Sequence, residues 1–186
     1  MSYNITLAAL AFDSPFIKFL VPAIGIAVIV LLCKTKWRLS LEHDLMLVAP
    51  RPMPLFAWVF IGITWMLVTD YIVDWRGEFD FAPWRAQPLY VSALRIAAVC
   101  FAGPILEELI FRGLLFRKAH KRFPSSPWIG IVILAAIWAA IHYSYTPAEI
   151  FIIFTEGILL SVALLNTKSL YVPIAMHICW NLYAIW

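Results

Sequence analysis

Apolar residues fall into long unbroken runs, and polar positions gather between them, so run length carries more information here than alternation within a run. Runs at about 15–33, 55–71, 89–120, 128–145, 148–166 and 170–186 approach the roughly 20 residues a helix needs to cross a bilayer. Proline punctuates them. Pro50, Pro52 and Pro54 precede the second run, Pro124 and Pro127 the fourth and Pro147 the fifth, each a position where a helix starts or stops. No segment has the strict alternation of membrane β-strands. The pattern predicts an all-α, polytopic transmembrane helical bundle of about six spans, with the last segment open to being shortened or re-entrant.

Composition strengthens this reading. The chain has 186 residues, of which 63% are hydrophobic, 16% aromatic and 13% charged, and its mean hydropathy is +0.87, outside the range of ordinary soluble domains. The length leaves no room for a separate soluble domain. Lys34, Lys36 and Arg38 follow the first run, and Arg117, Lys118, Lys121 and Arg122 end the third. With Lys168 they assign those ends to the cytoplasm. Asp70, Asp74, Glu78 and Asp80, beside Trp75, Phe79, Phe81 and Trp84, suit an outer loop with its aromatic belt. Both termini are then expected outside. Lys18 and Arg95 lie near run ends, where a long basic side chain can snorkel. The N-terminal residues have no basic region and no small-residue cleavage site, so the first span is expected to remain. Cys33, Cys100 and Cys179 form no CxxC pair and read as free buried thiols. The net charge of +3 implies no nucleic-acid partner; the surroundings are membrane lipid.

Chemistry enters with the third run. Within residues 103–116 stand Glu107, Glu108 and Arg112, each a costly residue there, since a charge near the bilayer centre costs about 2.5–3.5 kcal/mol on insertion scales. At 1.5 Å per residue Glu107 lies on the order of 15 Å from Arg117, inside the bilayer. Two further polar pairs share the same spacing of four: Trp138 with His142, and His177 with Asn181. Residues four apart share a helix face. Glu108 is therefore expected to pair with Arg112. Glu107, about 100° away around the helix, is left to meet His142 and His177 from other helices. A buried carboxylate beside an imidazole suits a general base for water, and a second imidazole with an amide suits a developing oxyanion. The plain alternative is interhelical hydrogen bonding, worth about 0.6 kcal/mol per bond.

Other hydrolytic chemistries lack their residues. No His-Glu-x-x-His helix is present, although Glu and His are legitimate zinc ligands and zinc stays open on the residues alone. There is neither a Gly-x-Ser-Gly nor a Gly-x-Gly-Asp motif. Cys179 lies roughly 200° around the helix from His177, a poor position for activation by it. Glu156, in the fifth run, reads first as a protonated or hydrogen-bonded core residue and second as part of a substrate cleft.

The three motifs, Glu107-Glu108-x-x-x-Arg112 followed by Gly113, Trp138-x-x-x-His142 and His177-x-x-x-Asn181, resemble in order those of the CPBP family, which includes type II CAAX prenyl endopeptidases and the bacteriocin-processing Abi proteins. The resemblance covers about 89–186, making 1–88 an N-terminal membrane region and 89–186 the catalytic core of four helices. The family usually has Phe where Trp138 stands. The resemblance implies an intramembrane endopeptidase in which Glu107 and His142 activate water, His177 and Asn181 form the oxyanion site, and Glu108 and Arg112 hold its shape. It implies no cofactor and no metal, a peptide or lipidated-protein substrate, and a multi-pass place in a prokaryotic inner membrane. The rival reading is a non-catalytic immunity, scaffold or proton-relay protein using the same buried groups. Asn181 separates the two, because a relay has no use for an amide. Convergence of Glu107, His142 and His177 on one cavity is the geometric requirement.

Overall fold

The computed structural model describes residues 14–78 and 82–185. The N-terminal residues whose character bears on a leader, and Phe79, Asp80 and Phe81 of the acidic loop, lie outside the described residues. Six helices of seven residues or more follow in order: α1 (Pro15–Thr35), α2 (Pro52–Val73), α3 (Leu89–Arg122), α4 (Pro127–Ala140), α5 (Pro147–Thr167) and α6 (Tyr171–Ala184). Short helical turns at Trp75–Glu78 and Ala82–Arg85 connect α2 to α3.

Proline opens α1, α2, α4 and α5 within their first two positions, where its missing N–H removes no helical bond. Thr146 and Glu149 add a reciprocal capping box to α5, satisfying two more of the free donors at that end. The second and fifth helices stop on Asp74 and Lys168 in the left-handed conformation, a common way to end a helix.

Four helices, α1, α2, α3 and α5, are long and apolar enough to cross a membrane. The chain is thus a multi-pass membrane protein. The expected bundle of about six spans is present as six helices, and the shortening left open for the last segment is seen in both α4 and α6, which have 14 residues each, about 21 Å of rise against a hydrocarbon core of roughly 30 Å. Ile141 to Ser144 form turns after α4, so His142 stands beyond its end and not on it.

The first two helices show only 11% of their apolar windows buried, against 44% for α5, which identifies α5 as the central helix and the first two as lipid-facing. Phe56, Phe60, Tyr71 and Ile72 accordingly point outward, as apolar residues can in lipid. The central helix packs on α4, α6 and α2, while α1 lies along α3. Gly157 permits the first of these contacts: a Cβ there would stand 3.1 Å from both Ala135 Cβ and Trp138 Cε3. Small residues at such contacts let membrane helices approach closely.

At the basic end, residues 36–51 fold under the bundle. Leu45 is buried among Cys33, Leu109, Phe116 and Leu170. Leu170 N–H donates to Met46 O, Ser169 Oγ to Val48 O, and Arg117 Nε to Asp44 Oδ1 at 2.8 Å. These contacts tie the α1–α2 connection to α3 and to the α5–α6 turn.

Candidate active site

The third helix is not a uniform α-helix. Wide π turns at Ala97–Ala102 and Leu109–Leu115 flank six α-helical residues, Gly103–Glu108. Such turns inside α-helices are rare and frequent at functional sites. The cause of the first is visible in the sequence. Gly103 N–H reaches back to Ala98 O, and the next donor in that register would be residue 104, a proline with no N–H. Val99 O is the carbonyl left over, and Asn181 Nδ2 donates to it at 2.8 Å. One proline thereby fixes the site residue Asn181 to α3. The amide consequently has a structural use, so its presence alone does not separate hydrolase from relay.

The two glutamates take different partners. Glu108, fully buried, accepts from Arg112 Nη1 and from His177 Nδ1 on the same oxygen, Oε1, both at 3.0 Å. Its Oε2 is buried without a protein partner among the described residues. Arg112, also buried, sends Nη2 to Gly157 O at 3.1 Å and lies with Cζ 4.5 Å from the Trp138 ring centroid. Because a carboxylate oxygen can only accept, His177 carries a proton on Nδ1. The expected pairing of Glu108 with Arg112 is present. The expectation that His177 would partner Glu107 is corrected: it binds Glu108.

Glu107 Oε2 instead accepts from Trp138 Nε1 at 2.7 Å. The expectation of His142 as a direct partner of Glu107 is likewise corrected: its ring bonds to the Trp138 backbone. His142 Nδ1 lies 2.8 Å from Trp138 O; a carbonyl only accepts, so the neutral ring has its proton on Nδ1 and its lone pair on Nε2. Trp138 stands edge-on between the two imidazoles, 5.4 Å from His142 and 5.3 Å from His177. The indole is the hub of the site, and its N–H is what a phenylalanine at this position would lack.

All four groups expected to act on substrate meet at one place. A cavity of about 550 Å³ is lined by Glu107, His142, His177 and Asn181, with Glu156 and Tyr145 beside them and Lys18 reaching in from α1. Glu108 and Arg112 stand behind it, buried and outside its lining. The outer rim includes Trp75 and Trp180, stacked 5.4 Å apart, whose neighbours Asp70, Arg76 and Tyr183 are joined by hydrogen bonds and a cation–π contact. Glu156 lines the cavity while remaining 4% exposed. Among the described residues no three His, Cys, Asp or Glu gather as a metal site would require.

The family model described as "Type II CAAX prenyl endopeptidase Rce1-like" matches residues 89–183, just over half of the chain and the part that holds all three motifs. The chain belongs to that family. As an Rce1-like protein it is a multi-pass member of a membrane-protease family. Among its relatives, the "Membrane-embedded CAAX protease MroQ" of Staphylococcus aureus (strain USA300) is 25% identical over 177 residues, covering 91% of this chain and 70% of that protein. An "Uncharacterized 24.3 kDa protein" of Escherichia coli is 28% identical over 88 residues, 45% of this chain and 39% of that protein's length. The chain thus spans well under half of the second relative. No solved structure matches it.

Proposed function

We propose that this Rce1-like protein is an intramembrane endopeptidase that cleaves a peptide bond of a membrane-associated peptide or precursor with a glutamate-activated water. The observation that carries the proposal is the convergence of Glu107, His142, His177 and Asn181 on one cavity. A scaffold or immunity module has no need for an open space at the meeting point of its costliest residues.

In the mechanism, Glu107 takes a proton from water while His142 Nε2 orients the same molecule, and the hydroxide adds to the scissile carbonyl. The hydrogen bond from Trp138 holds the Glu107 carboxylate in place. His177, with Nδ1–H on Glu108 and protonated at Nε2, donates to the oxyanion; Asn181 adds the N–H of its amide not used by Val99 O. Collapse of the tetrahedral intermediate returns the proton from Glu107 to the leaving amine. Glu108 and Arg112 act as positioning residues. No step is routed through a metal.

The reading implies a substrate reached from the lipid phase and a multi-pass place in the cell membrane, the inner one where a prokaryotic cell has two. Its test is product mapping by mass spectrometry on a membrane-peptide library incubated with the purified protein, with and without a strong chelator. Discrete cleavage sites that persist in chelator support the proposal. Cleavage abolished by chelator and restored by zinc contradicts its metal-free step.

A further inference from the structure

Among the cavity groups that the mechanism leaves unused, with Lys18, Tyr145 and Glu149, is Glu156. Glu156 lies on α5 at 4% exposure and faces the cavity that holds Glu107 and His177. No described residue donates a hydrogen bond to it or pairs with it. Buried carboxylates ordinarily have a partner, and one left open inside a cavity marks a place for a ligand group.

The charges around it identify the missing group. Those that act on Glu156 are His177, Arg112, Glu108 and Glu107. Arg112 and His177 are both committed to Glu108 Oε1, and Arg112 also to Gly157 O. Glu107 is held by Trp138. Both basic groups in this set are thus already committed to Glu108.

The wall leading to Glu156 has the matching shape. Glu149, Ile152 and Glu156 lie on one face of α5 at spacings of three and four, and Ile153 lines the cavity beside them. Glu149 caps the start of α5, its Oε2 accepting from Thr146 N–H and Oγ1–H at 2.7 Å each. Beyond it Ile152 and Ile153 form an apolar strip that ends at the Glu156 carboxylate. Lysine and arginine bury their methylene stems along apolar surface and present a charged tip.

We propose that Glu156 forms a cation subsite that receives the side chain of a lysine or arginine next to the scissile bond. This rests on the endopeptidase reading for the word scissile, but the subsite itself is a matter of binding. The backbone that carries it is fixed, since the adjoining Gly157 is clamped between Ala135, Trp138 and Arg112.

The test uses two membrane peptides identical but for one central residue, lysine in one and norleucine in the other, and measures their affinity for the Glu107→Gln protein in detergent. The lysine peptide is expected to bind about tenfold tighter or more, and the ratio to fall to about one when Glu156→Gln is added. Glutamine keeps the shape of glutamate, and Glu156→Lys, which should turn the preference toward a glutamate peptide, serves as the second variant. Equal affinities, or a preference untouched by Glu156→Gln, overturn the subsite. Digestion of the same peptides by the wild-type protein separates the two claims. Cleavage without a lysine preference sinks the subsite and leaves the protease; a lysine preference in binding with no cleavage does the reverse.

Discussion

Replacing Arg112 by methionine removes the guanidinium while keeping most of the apolar volume. In the folded protein it leaves Glu108, at 0% exposure, with His177 as its remaining partner, and it frees Gly157 O and the face of Trp138. If this ion pair were ordinary interhelical hydrogen bonding, the loss would be about 0.6 kcal/mol per bond. Stripping one partner from a buried pair costs more, about 3–5 kcal/mol, because the other charge stays desolvated. The larger figure should hold, since both side chains are at most 2% exposed. On the scaling for chains of this size it corresponds to a fall in Tm of roughly 6–20 °C. The assay is thermal unfolding in detergent followed by tryptophan fluorescence. The control is the double variant Glu108→Gln/Arg112→Met, in which the charge is gone and the amide carbonyl introduced at position 108 can still accept from His177. It should recover at least about half of the loss, in line with the neutral cost of replacing both partners. A single variant that loses less than about 1 kcal/mol, or a double variant no better than the single, refutes the reasoning.

Three further outcomes follow from other contacts. Gly157→Ala puts a methyl group 3.1 Å from Ala135 Cβ and Trp138 Cε3; it should cost about 1–3 kcal/mol in the same melts and slow cleavage, because the indole it pushes holds Glu107. Asn181→Ala should slow cleavage, and Pro104→Ala added to it should recover part of the rate if the new N–H takes over Val99 O; absence of any recovery assigns the whole effect to the oxyanion. The Ser40 amide, and then the Arg117 guanidinium, hold the Asp44 carboxyl below its ordinary value. A depressed folded pKa gives stability that is present above about pH 4 and lost as pH falls through the folded value. The advantage of wild type over Asp44→Asn in thermal melts should therefore shrink from about pH 5 to pH 3, and an advantage that grows on acidification contradicts it.

The helical bundle was legible because lipid imposes one rule, that a run of apolar residues must satisfy its own backbone. The spacing of four in Glu108–Arg112 gave a real pair for the same kind of reason, since both ends lie on one helix. Partners across helices were another matter. His177 went to Glu108 and Trp138 to Glu107 in a helix interrupted by π turns on either side of the glutamates, which a sequence period of 3.6 cannot anticipate. Pro104 was the available clue. The place of His142 beyond α4 depended on where a 14-residue helix stops, a boundary that apolar run length does not fix. Glu156 was visible as an odd charge, but its openness to the cavity depends on how Arg112 and His177 are spent elsewhere. The strap of 36–51 carries no motif at all; its role comes from the contacts of Asp44, Leu45, Met46 and Val48.

The central claim is that Glu107 activates the water. Its most direct test is single-turnover cleavage of a mapped membrane-peptide substrate by wild-type and Glu107→Gln protein, in buffer containing a strong chelator. Loss of a positioned general base should slow the variant by about 10²–10⁴-fold while substrate binding persists and the wild-type rate survives the chelator. Equal rates for the two proteins would contradict the account.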